Sequence, residues 1–179
     1  MIPLPAGVER IESLDTIDIL GEPHYRVRWQ EPDGGRRVIL ASVMDGQVRD
    51  ELTREEAVAM ARASFLPEAP VAGVSRLDVG DIGSRHEYRG GALPVWQVRF
   101  DHSSGTRIYV AAAAGTVASH RNADWRVFDF LWMLHTLDFQ GRDDINNPVL
   151  RVLSVLAVTV IVSGFLLWAV TSPRLRRNR

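Results

Sequence analysis

The 179-residue chain contains no cysteine. That absence removes disulfides, thiol nucleophiles and thiolate metal ligands, and it suits either side of a membrane, since a disulfide-free domain is at home in any redox compartment. An excess of charge of either sign is also lacking. A formal net charge of −1 and a pI near 6.5 give no electrostatic footprint for nucleic acid. No HExxH helix and no GxSxG elbow is present, so the common metal-dependent and serine hydrolase signatures are missing. The five histidines, His24, His86, His102, His120 and His135, do not fall at the regular offsets of a structural zinc site. Nor does the opening "MIPLPAGVERIESLDTIDIL" show a basic n-region followed by an apolar h-region. The expectation is a non-enzymatic chain with no metal site.

What is present begins with one long apolar run. From Val152 to Val170, 19 residues pass without a charge, Asn, Gln or Pro. At about 1.5 Å of rise per residue, such a helix nearly matches a hydrocarbon core of roughly 30 Å. The pattern predicts a single transmembrane helix over 149–171. The tail that follows (172–179) carries Arg174, Arg176, Arg177 and Arg179, and the positive-inside bias places it in the cytoplasm with the large N-terminal part outside. Within the span, Ser154, Ala157 and the Ser163-Gly164 pair offer a close-approach surface for a helix partner in the membrane.

The soluble part echoes itself. "PHYRVRWQEPDGGRRVILASVMDGQV" (Pro23–Val48) aligns with "PVWQVRFDHSSGTRIYVAAAAGTV" (Pro94–Val117). Pro23 matches Pro94, Tyr25 matches Trp96, Val27 matches Val98, Trp29 matches Phe100 and Gly34 matches Gly105. After small gaps Arg37 matches Arg107, and Gly46 matches Gly115. Each copy reads as a β-hairpin with a Gly-containing turn, preceded by a further strand ("ESLDTIDIL" and "VAGVSRLDVG"). In both, the first-strand aromatics and valine recur at period two and cover one face.

Between the copies lies "LTREEAVAMARASF". Thr53 followed by Glu56 is a capping box, Leu52 can staple onto Ala57, and Ala57, Met60, Ala61 and Phe65 make a buried stripe. The predicted fold class is α+β: 1–50 a partial unit of three strands lacking its helix, and 51–120 a helix plus a three-stranded antiparallel sheet. The missing helix and the missing export signal together predict that the numbering starts inside a longer protein.

Residues 124–140 predict a juxtamembrane helix. Asp124 is placed as its N-cap and Gly141 as its C-cap. Trp125, Phe128, Trp132, His135 and Phe139 recur at spacings of three and four and form one aromatic face. Such a face seats a helix among lipid headgroups, with Trp125, Phe128, Trp132 and Phe139 at the membrane interface. His135 stands on that face, where a haem or a proton-linked switch would have to touch. A bis-histidine haem would need its second ligand from another subunit. Asp143, Asp144 and Asn146 are candidates to cap the start of the span. A cation site from Asp138, Asp143 and Asp144 gathers too few oxygens.

The "TREEAVAMA" helix start and the "VWQVRF…IYVAAAAGTV" strand pair resemble the PepSY domain, a small α+β module of bacterial peptidase propeptides and membrane proteins. "DWRVFDFLWMLHTLDFQGRDDINNP" and the apolar run resemble the juxtamembrane segment of PepSY-associated transmembrane proteins. Together the similarity covers most of the chain. It implies an extracytoplasmic module tethered to the bacterial inner membrane, binding a peptide or protein and restraining a protease. Some larger multi-span relatives are linked to siderophore-iron reduction with haem, which would make this chain an accessory redox subunit. It departs from them in showing one span.

Overall fold

The computed structural model describes residue 8 and residues 10–66, 68–139 and 144–172. Two four-stranded antiparallel sheets follow one another in sequence. The first is β1 (Arg10–Ile19), β2 (Glu22–Gln30), β3 (Arg36–Ser42) and β4 (Val48–Arg49); after α1 (Arg54–Ala63) comes the second, β5 (Val71–Leu77), β6 (Val95–Phe100), β7 (Arg107–Ala111) and β8 (Thr116–Arg121). Two helices close the chain, α2 (Ala123–Thr136) and α3 (Pro148–Thr171). The class is α+β as expected, but each sheet gains a fourth strand that the sequence pattern did not announce. β4 is only two residues long. β8, "TVASHR", has Val117 as its one large apolar side chain, and the strand pairs with β7 from Arg107–Arg121 to Ala111–Thr116.

The echoed residues occupy equivalent local geometry. Gly34 and Gly105 both have positive φ, and each amide donates to the carbonyl three residues back, at 2.9 Å in both cases. Gly46 and Gly115 also have positive φ, and their amides donate to the Ser42 and Ala111 carbonyls. The Pro23 carbonyl accepts from Val43 and the Pro94 carbonyl from Ala112. A left-handed residue at each of these points is the conformation glycine adopts without penalty.

In the second sheet, Trp96, Val98, Ile108 and Val110 face α1, whose buried residues are Ala57 and Ala61. The Thr53–Glu56 capping box is formed, and Leu52 joins the same core. The opposite face, with Val95 and Tyr109, is covered by the 78–94 connection, where Tyr88 and Leu93 pack down. The two sheets share one core. Ile19 and Leu40 of the first sheet pack with Val98, Ile108 and Val110 of the second. Trp96 Nε1 donates to the Leu52 carbonyl at 2.9 Å, and the Leu52 amide donates to Ala112 at 2.9 Å. The chain divides instead further on, into a unit Met1–Arg126 and a unit Val127–Arg179.

Candidate functional site

Three features of the first unit bear on binding. The first is β1, ten residues long and paired only with β2 among the described residues. The other outer strands are shorter, at two, seven and six residues. An outer strand presents one row of backbone N–H and C=O groups that an incoming strand can use. Ile11 and Leu14 on β1 are 49% and 60% exposed, so apolar side chains accompany those groups. A bulge between Ile11 and Ser13 kinks the strand near its start. Asp15 faces Arg26 across the sheet, and the Arg26 hydrogen bond holds the Asp15 carboxyl below its usual range.

The second feature is a polar knot around Glu87. Tyr109 Oη donates to Glu87 Oε1 at 2.6 Å, Arg107 Nη1 lies 3.0 Å from the same oxygen, and Arg126 Nε donates to Oε2 at 2.9 Å. Arg121 Nε donates to the Glu87 carbonyl at 3.0 Å. Burial pushes the Glu87 carboxyl up, but hydrogen bonds from Tyr109 and Arg126 and the charge of Arg107 outweigh it, and the net direction is down. The Tyr109 phenol moves up, first through burial and then by donating to Glu87. The knot fastens the 78–94 connection to β7, to β8 and to the first turn of α2. Its members span positions 87 to 126, and sequence reasoning missed it because no local spacing links them. The only local signal is polar residues inside an otherwise apolar strand pattern.

The third feature is the start of α2. Its N-cap contact comes from Asn122, whose Oδ1 accepts from the Trp125 amide at 2.8 Å; the expected Asp124 lies inside the helix. The Trp125 ring lies under the Arg121 guanidinium, 4.1 Å from its carbon to the ring centroid. Trp125 is therefore half-buried in a cation–π contact.

In the second unit, the expected aromatic series is partly formed. Phe128 and Trp132 stack with centroids 6.4 Å apart, and Trp132 meets His135 at 5.9 Å. Phe128, Trp132 and Phe139 are exposed, as are Val127, Phe130, Leu131 and Leu134. The apolar surface is therefore wider than one face. His135 is exposed beside Trp132, and the other four histidines belong to the first unit. Among the described residues no group of three or more His, Asp and Glu is placed to hold a metal ion.

The turn between α2 and α3 is organised by Asn147, which sequence reasoning passed over. Its Oδ1 accepts from the Leu150 amide at 3.0 Å, which makes it the N-cap of α3. Its Nδ2 donates to the Thr136 carbonyl at 2.8 Å and to the Asp144 carbonyl at 2.9 Å. Asp144 and Asn146, expected to cap the span, hold the preceding turn instead: the Asp144 amide donates to Asp138 Oδ2, and Asp144 Oδ1 accepts from the Asn146 amide. The signal that finds the cap is Pro148, because proline favours the first helical position and puts the N-cap directly before it. Gly141 and Asp143 lie outside the described residues.

α3 is 24 residues long, with none of its apolar window buried, and it is long and apolar enough to cross a membrane. Comparison of the chain with protein-family models, with curated proteins and with solved structures gave no match.

Proposed function

We propose that the chain is a membrane-anchored, non-enzymatic module of PepSY type that holds a peptide or protein partner along the free edge of β1. The observation that carries this reading is the edge itself: ten residues with one backbone side unpaired among the described residues, and Ile11 and Leu14 exposed beside it. A partner strand added there gains main-chain hydrogen bonds for affinity and side-chain contacts for selectivity. β1 carries a bulge and the charged residues Arg10, Glu12, Asp15 and Asp18, features that limit indiscriminate edge pairing. The echoed hairpins, with matching positive-φ glycines and matching hydrogen bonds to the Pro23 and Pro94 carbonyls, are what two related units would give. In this reading α3 spans the bacterial inner membrane with the arginine-rich tail in the cytoplasm, and the aromatic residues of α2 lie at the lipid interface. The partner is a secreted protease or its substrate-like segment.

The test uses the full chain in lipid nanodiscs against a panel of secreted bacterial proteases. At least one protease should be slowed, and Ile11→Arg/Leu14→Arg should relieve the inhibition without changing thermal unfolding. No inhibition of any protease, together with a Soret absorption lost in His135→Ala, would replace this reading with the haem-linked one. Activity of a periplasm-only reporter fused after Arg179 would reverse the assigned orientation.

A further inference from the structure

One face of the second sheet carries a row of like charges. Arg99 of β6 pairs with Arg107 of β7, and Arg107 pairs with Arg121 of β8, so three arginines stand directly opposite one another on neighbouring strands. Arg126, in the first turn of α2, joins them at the Glu87 knot. Like charges placed opposite one another weaken a sheet, so such a row costs stability unless something outside the fold neutralises it. We infer that this strip is the surface by which the first unit rests on anionic phospholipid, its guanidinium groups meeting headgroup phosphates. That conclusion depends on α3 spanning the membrane, as proposed above.

The charge balance comes first. Arg107 and Arg126 share the single carboxylate of Glu87, at 3.0 and 2.9 Å. Arg121 donates to the Glu87 and His120 carbonyls and meets no carboxylate among the described residues. Arg99 makes neither an ion pair nor a side-chain hydrogen bond among them, and Asp101 and Asp124, the acidic residues next in sequence, pair with none of the four. The positive charge is also spread out. Gly73 of β5 lies opposite Arg99, and the Arg99 side chain lies across it: a Cβ there would sit 2.6 Å from Arg99 Nη2. Arg99 therefore reaches toward β5 while Arg107 and Arg121 reach for residue 87, and four strands at the usual spacing make a strip about 14 Å wide. Arg99 is exposed, and the Arg107 and Arg126 side chains are partly so. A strip of this kind suits a plane of phosphates, which guanidinium groups grip in a two-pronged fashion. Its place in the fold agrees. The strip lies at the sheet end formed by the 101–106 turn, and α2 starts from that turn: the Ala123 amide donates to Ser104 at 2.8 Å, and Arg126 Nη1 to Gly105 at 3.0 Å. α2 is the helix that carries the exposed Phe128 and Trp132. The Arg121 contact with the Trp125 ring adds a cation and an aromatic together at this end, a combination at home at headgroup depth.

Because the chain has no cysteine, a single Ser103→Cys in the 101–106 turn can carry a fluorescent donor. The full chain is placed in nanodiscs of phosphatidylcholine, with or without phosphatidylglycerol, each holding a headgroup-labelled acceptor lipid. Energy transfer should rise by about twofold in the anionic discs and fall back at high salt. R99Q/R121Q should remove the rise, and R99Q alone, which breaks no hydrogen bond among the described residues, should remove part of it. R54Q/R62Q on α1, which covers the opposite face of the sheet, should leave it in place. Equal transfer in the two discs overturns the proposal, as does an equal loss in R54Q/R62Q. Loss of the rise with inorganic phosphate, at an ionic strength where chloride has no effect, overturns it too, because it shows a site for free anions. Release of the chain from both discs by alkaline carbonate overturns the spanning reading and the lipid strip together, whereas retention with equal transfer overturns the strip alone.

Discussion

Tyr88 and Tyr109 stack with ring centroids 4.6 Å apart and planes 13° from parallel. The stack joins the 78–94 connection to the centre of the second sheet, and Tyr88 Oη donates to the Ala92 carbonyl at 2.9 Å. Gly91 makes room for it. A Cβ there would sit 2.3 Å from Tyr88 Cζ. Gly91→Ala must therefore displace a buried ring and is expected to cost about 1–3 kcal/mol. Gly83→Ala, where a Cβ meets nothing within 4 Å, should change thermal unfolding little.

Gly115 sits where the sheets meet. Its φ is +65°, and a Cβ would lie 2.9 Å from the δ-methyls of Ile19 and Leu40. Gly115→Ala combines backbone strain with overpacking, for a loss of about 2–4 kcal/mol in denaturant unfolding. Gly34→Ala has positive φ but open space around it, so only the strain part should appear there.

Glu87 gives the first unit an acid-sensitive fastening. Its folded pKa lies below the ordinary value of 4.5, so its contribution is complete above that value and is lost as pH falls through the lower, folded one. Glu87→Gln should cost about 2–4 kcal/mol at pH 7, because it leaves Arg126 and Arg107 facing a neutral group. The same variant should flatten the fall in stability below pH 4.5, which a urea titration against pH would read.

Asn147 separates capping from bridging. Asn147→Asp keeps the acceptor for Leu150 but loses both donors, whereas Asn147→Ala loses all three bonds. Amide exchange in nanodiscs should quicken at the first turn of α3 in the alanine variant, by about tenfold for a cap of roughly 1 kcal/mol or slightly more. In the aspartate variant that turn should stay protected while the donor-side bonds to Thr136 and Asp144 are gone.

Local rules were enough where the chain's neighbours in sequence are also its neighbours in space. The Thr53–Glu56 box, the stripe through Ala57 and Ala61, the paired hairpins and the apolar run of α3 could all be read directly. They failed by a few residues at helix starts, where Asn122 replaces Asp124 and Asn147 replaces its acidic neighbours, because several good caps stand side by side. They failed outright for β8 and the Glu87 knot. Pairing with β7 stabilises a strand whose own composition is weak, and the knot collects Arg107, Tyr109, Arg121 and Arg126 through tertiary structure alone. The candidate edge was legible as a strand, but not as an outer one, since strand order is a property of the assembled sheet.

The Asn147 bridge has a mechanical consequence. A side chain that grips the last turn of α2 and the first turn of α3 at once couples the two helix ends. A reorientation of the first turn of α3 is then felt directly at the last turn of α2, through the bond from Asn147 to the Thr136 carbonyl.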